Sequence, residues 1–297
     1  MDQPITPKDV LQQIAKAIPD DVRGDIIIVG SLAAGYQLLR DSGQMIRTKD
    51  VDCMLAPHAR AIVSATRVTD RLLEEGWKPQ ATPAYDLPGT AETPDDRLAV
   101  VRLHPPGTNE WFLELLGAPS DVTPEPNTSG KSSRRVQTNG GHFALPSFAY
   151  LGLVQFQPLM SEFGIRIALA EMMALANLLH HPVIGESLMG QPFANRQIKR
   201  SNKDLGRVVA LAYLAVRKDE DALERWKSQW QEALKDRAKD HAESLLAVAP
   251  AGIHALLASP PDIEQALHTV NFGLLSATPL KEEQFVVAMR RLIQALE

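Results

Sequence analysis

The chain is short of cysteine, of basic surplus and of long apolar runs. Its 297 residues include one cysteine, Cys53. No intrachain disulfide can form, and a reducing compartment is the simplest reading. Lysine and arginine number 31 against 36 acidic residues, for a net charge of −5. That balance argues against a globally basic nucleic-acid binder and leaves room for a local basic patch. The start, MDQPITPKDV, has neither the basic segment nor the apolar segment of a secretory signal. The longest segment without Asp, Glu, Lys or Arg runs from Val136 to Ser161, interrupted by Pro146, Gln155, Gln157 and Pro158. It is too polar for a membrane span and reads as a buried helix. The expectation is a soluble cytoplasmic protein with no membrane partner.

What is present alternates between helix and strand signals in the first half. Val10, Leu11, Ile14 and Ile18 share a face, so 7–18 reads as an amphipathic helix opened by Thr6-Pro7. The β-branched run Ile26-Ile27-Ile28-Val29 reads as a buried strand. Gly30-Ser31 is a sharp exit into a short helix, 32–39, with Ser31 as its N-cap. A strand over 50–55 and a helix over 58–75 follow, the latter stopped by Gly76. Residues 79–96 read as a loop or irregular hairpin, 98–103 and 111–116 as strands, and 119–135 as a polar loop. From 147 onward helices are expected at 147–157, 162–180, 202–217, 219–247 and 281–296, with shorter pieces near 250–258 and 261–270. The fold class expected is α+β: a mixed-sheet domain over 1–145, then an all-helical domain over 146–297.

One stretch, RTKDVDCML, carries the chemistry. In a strand over 50–55, Asp50 and Asp52 point the same way and crowd two like charges onto one face. A divalent cation between them would resolve the repulsion. Upstream, Gly30 allows close backbone approach, and the helix after it offers free N–H groups suited to phosphate. Mg²⁺ takes such sites, with one or two carboxylates plus substrate phosphates. Glu114 is the lone acid within the apolar run Trp111 to Leu116 and needs a partner there, either a metal or Arg102 on the adjacent strand. Glu110, four residues earlier, is a second candidate, at the strand's start.

Gly30-Ser31 followed by Arg47-Thr48-Lys49-Asp50-Val51-Asp52 resembles the signature of the polymerase-β-like nucleotidyltransferase superfamily. Within it, the stretch is similar to AbiEii-type and related uncharacterised bacterial nucleotidyltransferases. Lys199-Arg200-Ser201-Asn202-Lys203-Asp204-Leu205 resembles the family's late Lys-Asp motif. The resemblance implies transfer of an NMP from an NTP to an acceptor that is RNA, a protein or a small molecule. It implies that Gly30 and Ser31 hold the triphosphate, that Lys203 and Asp204 touch the nucleotide, and that Asp50, Asp52 and Glu114 hold Mg²⁺ at up to two sites. Some such proteins are toxins of toxin–antitoxin pairs, which makes an antitoxin an expected partner. The lysine that the family often carries in its first long helix has Gln155 or Arg166 nearest to it here. That departure motivates the alternative: a catalytically inactive nucleotide-binding or protein-interaction module.

Other motifs read as structural. Ser129-Gly130-Lys131-Ser132 mimics the end of a P-loop, but Glu125 stands where the pattern needs glycine. Lys131, Arg134 and Arg135 are expected on a solvated loop. His180-His181 reads as a helix end, because adjacent residues do not share a helix face. Leu223, Trp226, Trp230 and Leu234 form an apolar stripe that reads as core, and Cys53 alternates to the face opposite the acids.

Overall fold

Helices Pro7–Ala17 (α1) and Asp20–Arg23 (α2) precede strand Ile26–Ile28 (β1), whose three isoleucines are fully buried. The computed structural model describes residues 4–40, 43–81, 88–123 and 130–297. Burial of all three matches a strand in the middle of a sheet covered on both sides. Helix Gly30–Leu38 (α3), strand Asp50–Leu55 (β2) and helix Ala61–Glu74 (α4) follow. Strands Lys78–Pro79 (β3), Arg102–His104 (β4) and Phe112–Gly117 (β5) come next. Strands Lys131–Thr138 (β6) and Gly141–Phe148 (β7) form a separate two-stranded ribbon. Strands Leu159–Met160 (β8) and Arg166–Ile167 (β9) complete a seven-stranded sheet in the order β8-β9-β1-β2-β5-β4-β3. It is mixed: β1 pairs with β9 in parallel and with β2 antiparallel, and β2 with β5 in parallel.

The remaining helices are Ala170–His180 (α5), Arg200–Lys218 (α6), Ala222–Arg237 (α7), Ala242–Val248 (α8), Ala251–Leu257 (α9), Pro260–Phe272 (α10) and Glu282–Leu296 (α11). Helix α6 is central and packs against α5, α7, α9, α10 and α11. A β-carbon at Gly206 on α6 would stand 2.9 Å from the Ala266 carbonyl oxygen of α10, so glycine sets how closely those two helices cross. The stripe of Leu223, Trp226, Trp230 and Leu234 is buried, and the Trp230 indole N–H donates to the Glu171 carbonyl at 2.8 Å. No single helix among the described residues is long and apolar enough to cross a membrane.

The chain is thus mixed α/β with a helical C-terminal region. It divides into a sheet unit, residues 2–33 and 48–168, and a helical unit, residues 34–47 and 169–297. The boundary expected near 145 lies later for a physical reason. The uncharged segment 136–161 holds the buried strand residues Val136, Phe143 and Leu145 of the ribbon, not a buried helix. In place of a helix over 147–157 there is a single 3₁₀ turn, Leu151–Gln155, between Tyr150 at φ +64° and Gln157 at φ +45°. The helix expected over 162–180 begins only at Ala170, because Arg166–Ile167 extends the sheet beside β1. The helix expected over 219–247 breaks where Lys239 takes φ +43°. The reading of 79–96 extends onto residues 82–87, and that of 119–135 onto residues 124–129, which lie outside the described residues. Lys131, Arg134 and Arg135 are on β6 and not on a loop.

Candidate functional site

The chain leaves β1 through Gly30, at φ +73°, a conformation that L side chains rarely adopt. The Val29 N–H donates to the Asp52 carbonyl at 2.9 Å, which ties this turn to β2. A β-carbon added at Gly30 would stand 2.6 Å from Asp52 Oδ2. The backbone therefore approaches that carboxylate as closely as only glycine permits. Helix α3 opens at Gly30 itself, so Ser31 is its second residue and not its N-cap. The first turn of a helix has N–H groups without intrahelical partners and a positive dipole end.

Strands β2 and β5 run in parallel, with Asp52 opposite Glu114 and Asp50 opposite Phe112. Asp50, Asp52 and Glu114 consequently share one face of the sheet, and all three are half-buried. Val51 and Cys53 point to the other face and are fully buried. Burial, followed by the nearby Asp52 charge, pushes the Cys53 thiol well above its ordinary range. It is a core residue and no nucleophile.

Each acid is positioned by a neighbour. Thr48 Oγ1 donates to Asp50 Oδ1 at 2.8 Å and lies 3.1 Å from the Asp50 carbonyl oxygen. Arg102 on β4 sits opposite Glu114 and donates from Nε to Oε2 at 2.5 Å. Its guanidinium carbon also lies 5.6 Å from the Phe112 ring centroid. Glu114 is 12% exposed and Arg102 44%. A half-buried acid in an apolar strand therefore has its counter-charge from the next strand, as the sequence had left open. Among the described residues, no group of three or more His, Cys, Asp and Glu side chains is set to hold a metal ion. The oxygen donors on this face are of the hard type that Mg²⁺ selects. Glu110 lies just before β5 and is exposed.

Lys203 and Asp204 lie in the first turns of α6, in the helical unit. Asp204 accepts a hydrogen bond from His181 Nε2 at 2.9 Å. Burial alone would raise the Asp204 carboxyl, but this bond and the positive charges of Lys203 and Arg207 hold it down at about 2. Sequence reading missed this pair, because His181 caps α5 and is remote from Asp204 along the chain. It also missed a polar network beside it. Lys199 pairs with Glu186 and Asp262, and Asn202 donates to Asp262 and Gln265. The only advance signal was a cluster of polar residues opening an otherwise apolar helix.

Two basic residues of β6, Arg134 and Arg135, have structural duties. Arg134 donates to the His58 carbonyl at 3.3 Å. Arg135 holds the Asp95 carboxylate and the carbonyl oxygens of Thr90 and Thr93.

Comparison of the chain with protein-family models, with curated proteins and with solved structures returns no match. The functional reading therefore rests on the geometry. That geometry is a carboxylate pair on β2, a third acid in register on β5 and a glycine turn into a helix N-terminus beside them.

Proposed function

We propose that the chain is a metal-dependent nucleotidyltransferase that moves an NMP from an NTP to an acceptor. The observation that carries this reading is the approach of the Gly30 turn to Asp52, with Asp52 in register with Glu114. Gly30 and Ser31 would receive the phosphates on the N–H groups at the start of α3. Asp50, held by Thr48, and Asp52 would supply oxygen ligands to Mg²⁺, with Glu114 joining them once Arg102 swings away. When bound, the metal would neutralise phosphate charge and lower the barrier to displacement at phosphorus. Calorimetry of NTP with Mg²⁺, on the wild type and on Asp50→Ala and Asp52→Ala, tests the reading. Binding that neither substitution weakens would overturn it.

A second reading has its own observation. Arg102 already satisfies Glu114, an arrangement suited to a member that binds nucleotide without turning it over. Transfer of radiolabel from an NTP to RNA, to a protein or to the chain itself would rule that second reading out.

A further inference from the structure

The helical unit holds a cavity that the proposed reaction does not use. Its volume is about 310 Å³, and it opens between α6, the start of α7 and α11. Ala212, Val216, Leu223, Val287 and Ala288 give it apolar walls. Ala212, Leu223 and Ala288 are buried, and Val287 is 49% exposed at the cavity's edge on an otherwise polar helix face. The volume falls at the small end of the range for small-molecule pockets, which combine apolar walls with a few convergent polar groups.

The polar groups here are Tyr213, Arg217, Glu283, Gln284 and Arg291, so two of the three charged ones are cationic. Arg217, at the end of α6, and Arg291, on α11, both line the cavity. Neither makes an ion pair among the described residues, whereas nearby Arg225 is paired with Asp219. Arg217 is held over the Tyr213 ring, its guanidinium carbon 5.8 Å from the centroid. One acid, Glu283, also lines the cavity, but it lies in the first turn of α11, where the helix dipole already favours a negative charge. The two guanidiniums outnumber it. Guanidinium is the side-chain group best shaped for a carboxylate, which it meets with paired N–H donors.

We propose that this cavity binds a small amphiphilic carboxylate, with its apolar body against Val216, Leu223 and Val287 and its carboxylate on Arg217 and Arg291. The site is separate from the acids of the sheet unit, and the proposal stands or falls independently of the nucleotidyltransferase reading.

The test uses the full chain and three probes of one chain length: octanoate, octanol and octylamine. Octanoate should bind by calorimetry, and the other two at least about tenfold more weakly, since charge-assisted hydrogen bonds to a carboxylate exceed neutral ones. Arg217→Gln with Arg291→Gln should weaken octanoate by about tenfold or more while circular dichroism stays unchanged, both residues being exposed. Val287→Trp, which fills the cavity, should abolish binding of all three probes. Absence of octanoate binding, equal binding of octanol or octylamine, or indifference to the double arginine variant would each overturn the proposal.

Discussion

Asp52 Oδ2 lies 2.6 Å from where a β-carbon on Gly30 would stand, and Gly30 holds φ +73°. Two separate demands thus meet at one residue. A left-handed backbone costs an L side chain about 1–2 kcal/mol, and the methyl group must also displace the carboxylate. Gly30→Ala should lower stability by at least about 1–2 kcal/mol in urea unfolding. The double variant Gly30→Ala with Asp52→Ala relieves the collision but not the backbone strain. Its cost should therefore be less than the sum of the single costs, a coupling that a double-mutant cycle reads directly. Strict additivity would show that the contact does not matter.

How much of this was legible beforehand differs between the two units. The alternation in Asp50-Val51-Asp52-Cys53 gave the strand, its limits and the separation of acids from core, because period-two patterning is a local property. The isoleucine run gave β1 for a similar reason. The register that sets Asp52 against Glu114 was not legible, since it depends on pairing between distant segments. The segment 136–161 misled because absence of charge suits a buried helix and a buried ribbon equally. There Val136, Phe143 and Leu145 carried a weak strand signal. His181 with Asp204 was out of reach, as nothing local ties a helix-end histidine to a helix-start aspartate.

Arg102 and a divalent cation would compete for Glu114. Removing the guanidinium leaves Glu114 beside Asp52 across the β2–β5 ladder, two like charges on one face. Arg102→Gln should therefore destabilise the chain in EDTA by about 1 kcal/mol, the size of a partly exposed ion pair. Mg²⁺ should then stabilise this variant more than it does the wild type. Thermal unfolding with and without Mg²⁺ checks both parts. If Mg²⁺ shifts the two proteins equally, Glu114 is not a metal ligand.

Arg135 reaches from β6 to the 90–95 segment, bonding the Asp95 carboxylate and the carbonyl oxygens of Thr90 and Thr93. One planar guanidinium thereby satisfies several backbone acceptors that have little other secondary structure. Arg135→Ala should cost about 1–3 kcal/mol, the range for charged hydrogen bonds left unmade. Hydrogen exchange should accelerate over residues 88–97 and little elsewhere. Arg135→Lys should rescue only part of the loss, since an ammonium lacks the fork that reaches several oxygens at once. Full rescue by lysine would mean that charge alone holds the segment.

Asp204 gives a pH signature of its own. Its carboxyl is held at about 2 in the folded chain, against 3.8 as its ordinary value. Burial works against that depression, and the His181 hydrogen bond with the charges of Lys203 and Arg207 outweighs it. A depressed carboxyl binds its proton more readily in the unfolded chain, so its stabilising effect is complete above about pH 4 and fades as pH falls toward 2. The corresponding contribution is about 2 kcal/mol. Asp204→Asn keeps an acceptor for His181 but cannot ionise. Urea unfolding at a series of pH values should show the wild type more stable than Asp204→Asn by about that amount at pH 6. The gap should narrow between pH 4 and pH 2. His181→Ala should narrow the gap above pH 4, because it removes the donor that favours the carboxylate. A difference between wild type and Asp204→Asn that stays constant down to pH 2 would mean that the pair contributes through packing and not through charge.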